Sequence, residues 1–226
     1  MTRRTDPGAG RTRTTRPALS RRLIVDTALA MVDRDGIGKL SMRALGAELG
    51  ADPMAVYHYF PSKAALFDGI VEAVYGEISV EPDDGAGWRA AMVTFITAWR
   101  DALLRHPGAL PAIATRPISA PSTLLLIEQV AARLVAAGAE PPRALDALNC
   151  FAAFTIGHAL AEVGEPAGGP EADVDLAAGD LDLSTLPTLA SAFAAGYTVD
   201  FEAQYELGLT ALLDGVAARL GLSDAR

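Results

Sequence analysis

The sequence predicts an all-α protein in which a small three-helix, helix-turn-helix domain precedes a larger helical body. Three observations predict it. Apolar residues recur at three- and four-residue intervals through most of residues 20–220, and no strand pattern or internal repeat interrupts them. Leu40–Leu66 carries two short helical patterns hinged at Gly50. Positive charge gathers at one end: residues 1–63 hold eleven Lys/Arg against six Asp/Glu (+5), residues 64–226 hold eight against twenty-two (−14), and the two make the net −9. A basic third on an acidic body suits a protein of which one end meets phosphates.

Residues 1–19 are Arg, Thr, Gly and Pro with almost no apolar content, and should form a disordered basic arm. Its Arg3, Arg4, Arg11, Arg13 and Arg16 suit contact with phosphates or a minor groove, and equally a solvated tail. The first domain, 20–80, begins at Ser20. Ile24, Ala28, Met31 and Val32 form the inward face of its first helix, and Gly36-Ile37 stops it. Ser41 caps the second helix, with Met42, Leu45 and Leu49 on one face, and Gly50 ends it because a tight turn needs a residue at ease with positive φ. Asp52 caps the third, and Pro53 takes its first position, where a missing N–H costs nothing. Val56 and Phe60 point inward there, leaving Tyr57, His58 and Tyr59 the other directions. Two short helices about a glycine turn form a helix-turn-helix, whose second helix is shaped to enter a DNA major groove. Ser62 caps a fourth helix, with Leu66, Ile70, Val74 and Ile78 against the first three and length enough to touch the next domain.

Glu81–Gly87 is a Pro/Gly/Asp turn that opens the second domain, 81–226. Trp88–His106 resumes helical spacing through Met92, Phe95, Trp99 and Leu103. Residues 107–121 carry four prolines and should be irregular. Ser122–Ala137 is a helix ended by Gly138 and Pro141-Pro142. Arg143–Val163 is apolar almost all round, Phe151, Phe154 and Ile156 included, which calls for burial by its own domain and by a partner subunit. With Phe201–Leu220 it suits a four-helix bundle across a two-fold homodimer. Residues 164–184, acidic and rich in Gly, should be a mobile loop. Leu186–Ala195 and Phe201–Leu220 complete the helices.

No uninterrupted apolar run approaches the ~20 residues of a membrane span, and the arginine-rich start lacks the apolar segment of a secretory signal. A cytoplasmic protein with no membrane partner is expected. Cys150 is the single cysteine, which excludes an intrachain disulfide and reads as a small buried hydrophobe between Asn149 and Phe151. The three histidines, His58, His106 and His158, lack metal-site spacing. Neither a Gly-Lys-Ser/Thr phosphate loop nor a Gly-x-Ser-x-Gly elbow occurs. No enzyme, cofactor or metal is therefore expected, although His106 and His158 could face one pocket and a His pair can do acid–base work.

Tyr57-His58-Tyr59-Phe60-Pro61-Ser62-Lys63 followed by Leu66, with Ser41-Met42-Arg43-Ala44-Leu45-Gly46 and Gly50-Ala51-Asp52 before it, resembles the DNA-binding domain of the tetracycline-repressor (TetR) family. The second half is similar too: Trp88, Ala102-Leu103-Leu104-Arg105, Thr115-Arg116-Pro117 and Phe154-Thr155-Ile156-Gly157 recur in comparable order. The resemblance covers most of the chain except the first 20 residues and 164–184. It implies a homodimeric, ligand-responsive transcriptional regulator, a repressor released from a double-stranded DNA operator by a small-molecule effector. The alternatives are a DNA-binding protein without a ligand and a helical enzyme using the pocket histidines.

Carried over residue by residue, the resemblance puts Arg43 where a guanine edge is read, and Ser41, Ala55, Tyr57, Tyr59 and Lys63 on phosphates. Pro53, Met54 and His58 stand where the tetracycline-responsive members have Gln, Pro and Trp, so a different operator is expected. Those members hold a magnesium–tetracycline chelate with histidines, an asparagine and a glutamate. Glu77 and Ala112 fall at two of the histidine positions, Phe95 at the asparagine and Ala161 at the glutamate. The resemblance thus implies a largely apolar effector among Phe95, Trp99 and Phe154, with His106, Arg116 and His158 as scarce polar groups. An anionic or phenolic group near Arg116 is expected, and little response to magnesium–tetracycline.

Overall fold

The computed structural model describes residues 18–80, 85–164 and 183–223. The basic arm up to residue 17, residues 81–84 of the boundary turn and nearly all of the 164–184 loop lie outside them. Among the described residues there is no strand. Helices α1 (Arg21–Asp35), α2 (Met42–Leu49), α3 (Pro53–Tyr59) and α4 (Lys63–Tyr75) build the N-terminal unit. The body follows as α5 (Gly87–Arg105), α6 (Leu110–Thr115), α7 (Pro121–Ala136), α8 (Pro141–Val163), α9 (Pro187–Ala194) and α10 (Phe201–Leu220).

Local chemistry sets the first four helices. Side-chain oxygens of Ser20, Ser41, Asp52 and Ser62 accept from the N–H groups of Leu23, Ala44, Met54 and Ala65 at 3.2, 3.1, 2.7 and 3.1 Å. Each such cap is worth about 1 kcal/mol. Gly50 stands at φ 55°, ψ 37°, the left-handed turn that lets α3 cross α2. Ile24, Ala28, Val32, Leu45, Val56, Phe60, Leu66 and Ile70 are completely buried. The expected inward faces are therefore the observed ones.

Proline is where local reading and structure part. The 107–121 segment is not irregular throughout: it holds α6, with Pro111 in the first turn. Pro121 and Pro141 likewise stand at the starts of α7 and α8 rather than past the end of what precedes them. Proline lacks only an N–H that the first helical turn leaves unpaired anyway, so it opens a helix as readily as it closes one. The fourth helix ends at Tyr75, and Ile78 reaches the core from the turn beyond.

The helix α8 is not buried on all sides within the chain. Ala144, Ala147, Phe151, Thr155 and Ala159 make its buried stripe, while Leu145 and Leu160 remain about half exposed and Cys150, expected inside, is exposed. By length and apolarity α8 would suffice for a membrane span, yet it packs against α5, α7 and α10. Phe154 stacks on Tyr205 with centroids 5.4 Å apart, and Arg100 ties α5 to both neighbours through Glu162 (2.9 Å) and Glu202 (2.7 Å). In α9 no residue is buried.

One joint between the N-terminal unit and the body is polar. His106, at the end of α5, faces Asp33 of α1 with Nδ1 (2.7 Å) and Glu77 with Nε2 (2.8 Å), and Arg105 also pairs with Glu77. Beside it Gly108 lies against the backbone of α1 so closely that a Cβ there would be 2.2 Å from the Val32 carbonyl oxygen. Gly108→Ala must push α1 off its seat. We expect a loss of about 1–3 kcal/mol, the usual cost of forcing an atom into a packed site, read as a lower urea midpoint at fixed protein concentration.

Candidate nucleic-acid interface and effector cavity

Because Val56 and Phe60 are buried, α3 turns its other sides outward. Met54 is 72% exposed, Tyr57 and His58 are exposed, and Pro53 and Ala55 are partly so. Arg43 projects from the first turn of α2 beside Ser41, whose oxygen caps that helix, and both are exposed. Lys63 is the first residue of the 13-residue α4, exposed, with Nζ 5.2 Å from the Phe67 ring centroid. All nine residues expected at DNA thus lie in the α2–α3–α4 unit. Tyr59 differs from the rest. Its hydroxyl donates to the Leu19 carbonyl (2.8 Å) and its own carbonyl accepts from Arg21 (2.6 Å), so it fastens the segment entering α1.

The residues expected at the effector divide. Phe95 and Trp99 of α5 and Arg116 after α6 line one cavity of about 420 Å³, together with Tyr75, Ile118, Ile127, Leu145, Leu148, Asn149 and Ala152. Tyr75 and Phe95 flank Trp99 at 5.5 and 6.2 Å between centroids, at tilts of 37° and 38°. The buried Trp99 Nε1 has no hydrogen-bond partner. Arg116 is the single charged group of the lining, and its Nε donates to Asp68 of α4 at 2.6 Å. Such a space takes a mostly apolar organic molecule held by few polar groups.

His106, Phe154 and His158 are not among the lining residues. His106 serves the joint. His158 lies between α8 and α10, its ring 5.9, 5.8 and 5.1 Å from those of Phe154, Phe201 and Tyr205. Sequence reading gave Leu145, Leu148 and Ala152 to the dimer bundle and passed over Asn149, although the i, i+3, i+4, i+7 spacing of the four marks one face of α8. It also missed Tyr75, which arrives from α4.

Two family models match the chain: "Bacterial regulatory proteins, tetR family" over residues 24–70, and "Tetracyclin repressor-like, C-terminal domain" over residues 81–220. An HTH-type transcriptional regulator of Saccharopolyspora erythraea is 34% identical over 213 residues, covering 92% of this chain and 89% of its own. The class A tetracycline repressor from transposon 1721 of Escherichia coli is 30% identical over 200 residues, with 87% and 89% covered. In structure, ActR of Streptomyces coelicolor in complex with actinorhodin superposes with a TM-score of 0.77 at 24% identity, over 91% of this chain and all of that one. At that identity the likeness is one of fold.

Burial at the cavity wall pushes the Tyr75 phenol up to about 12. In the unfolded chain it titrates near 10, so its contribution to stability is complete below pH ~10 and is lost as pH rises through about 12. Tyr75→Phe should delete one late phenolate from the alkaline absorbance titration. The Tyr205 phenol, also raised by burial, should remain.

Proposed function

The chain belongs to the TetR family of bacterial transcriptional regulators, and on that premise we propose that it is a repressor released from its operator by a small, largely apolar organic effector bound in the α4–α8 cavity. One observation carries the reading. The helix α4 begins at the DNA-facing Lys63 and ends in the cavity wall at Tyr75. Its thirteen residues span about 20 Å, so a shift at one end is delivered to the other.

Pro53, Met54 and His58 on α3 face the major groove, and Arg43 reaches a guanine edge from α2. Ser41, Ala55, Tyr57 and Lys63 meet phosphates, Lys63 with the free N–H groups at the start of α4. Tyr59 sets the position of α1 relative to this surface. Family members act as homodimers, and the unburied α9 together with exposed Leu145, Leu160 and Leu207 leaves this chain an apolar surface for its partner. Two recognition helices then address half-sites one helical turn apart. The effector works by binding the DNA-free arrangement more tightly than the DNA-bound one.

Arg43→Ala should relax specificity at one base pair per half-site, at a cost of about 1–3 kcal/mol of discrimination. Lys63→Ala should instead weaken all duplexes alike and flatten the dependence on salt. Selection from a random duplex library, followed by binding at several salt concentrations, separates the two. An Arg43→Ala selection identical to that of the native chain refutes the assignment.

Phe95 and Ala112 at chelate positions of the tetracycline-responsive members offer no ligand to a hard cation. Calorimetry with tetracycline should give the same weak or absent heat with and without magnesium. Micromolar binding that needs magnesium would contradict an apolar effector.

A further inference from the structure

The cavity wall carries one charged group, Arg116, and one neutral amide, Asn149. Arg116, the single charge of the lining, is a quarter exposed and is held by Asp68, whose side chain is 42% exposed. That partner belongs to α4. One turn further on, Glu72 accepts from Ser122 of α7 at 2.5 Å, so two polar ties fasten the outer side of α4 to the segment following α6. Apart from Asn149, the remaining lining is Tyr75, Phe95, Trp99 and aliphatic groups, which favours a flat ring system.

We propose that the effector is an aromatic anion whose acidic group draws Arg116 away from Asp68, making occupation of the cavity and release of α4 a single event. The inference rests on the cavity being the effector site. The rings lie against Phe95, Trp99 and Tyr75, and the anion competes with the carboxylate for one guanidinium. Arg116 suits the exchange because its planar fork pairs with a carboxylate on the ligand as well as with one on the protein. A neutral ligand of equal shape fills the same space but leaves the Arg116–Asp68 tie in place. Recognition of charge and transmission to the DNA end then share one side chain.

The test has two arms on the full-length dimer, using a duplex selected by the protein from a random library. In the first, without ligand, Asp68→Asn and Arg116→Gln should each weaken duplex binding to a similar extent, and the double variant should be no weaker than either single one. Unchanged affinity, or fully additive losses, overturns the coupling. In the second arm the probes are 2-naphthoate and 2-naphthamide, isosteric and differing in charge. Naphthoate should bind about tenfold or more tightly than the amide and displace the duplex. Arg116→Gln should erase the difference, and Trp99→Phe should weaken both probes. Equal binding of the two, binding of neither, or preferential naphthoate binding without release of the duplex overturns the proposal. Leu148→Trp, which fills the cavity, keeps the two readings apart. If it abolishes equal binding of both probes, the cavity reading stands and the anion falls. If it blocks neither probe, the cavity reading itself falls.

Discussion

Every relation between the two ends of this molecule depends on α4 being buried from both sides. Leu66, Ile70 and Val74 are completely hidden, and the helix touches α1 on one flank and α5, α6 and α7 on the other. One apolar cluster accordingly runs from Ile24 to Leu213 without a break at the boundary turn. Burying each such side chain is worth about 1.5–3 kcal/mol, so α4 cannot peel off either neighbour cheaply. It can slide or tilt while staying covered, the kind of small displacement that packed interfaces turn into discrete states.

What was legible in the sequence was what short stretches of chain decide. Ser20, Ser41, Asp52 and Ser62 cap because a hydroxyl or carboxylate three or fewer residues upstream reaches a free N–H, and Gly50 turns because it alone lacks a Cβ. Proline misled because stopping a helix and starting one impose the same φ, and only the next turn decides between them. In the cavity, Phe95, Trp99 and Arg116 were legible while Phe154, His106 and His158 went elsewhere. Spacing along one helix names a face but not the helix that will cover it. Phe154 and His158 share α8 with Leu148 and Asn149, yet α10 comes over the former pair, where Tyr205 stacks on Phe154 and meets His158 edge-on. Tyr75 was hidden for the converse reason, since its own helix read as part of the DNA-binding unit.

Polar contacts follow a division of labour. Apolar packing carries most of the contact between the N-terminal unit and the body, whereas carboxylates on α1 and α4, and Glu77 just beyond it, make the exchangeable ties: Asp33 and Glu77 to His106, Asp68 to Arg116, Glu72 to Ser122. The more open of these ion pairs, Asp68 with Arg116, adds little to stability, but its strength depends on what else the guanidinium can bind. The body has its own, more deeply placed counterpart in Arg100, 6% exposed and held by Glu162 and Glu202. Removing one carboxylate there would leave a charge with little water to stabilise it.

The close fit of Gly108 under Val32 has a bearing on synthesis. Residues 19–80 contain the contacts among the helices of the N-terminal unit, and such local structure forms early as a chain emerges. Its seat, however, begins with α5 and residues 106–108 and is completed by α6 and α7. For the time needed to translate some thirty further residues, a few seconds at ~5–20 residues per second, the nascent recognition helix has a shape but no orientation. Which way it points is settled by its packing on the body.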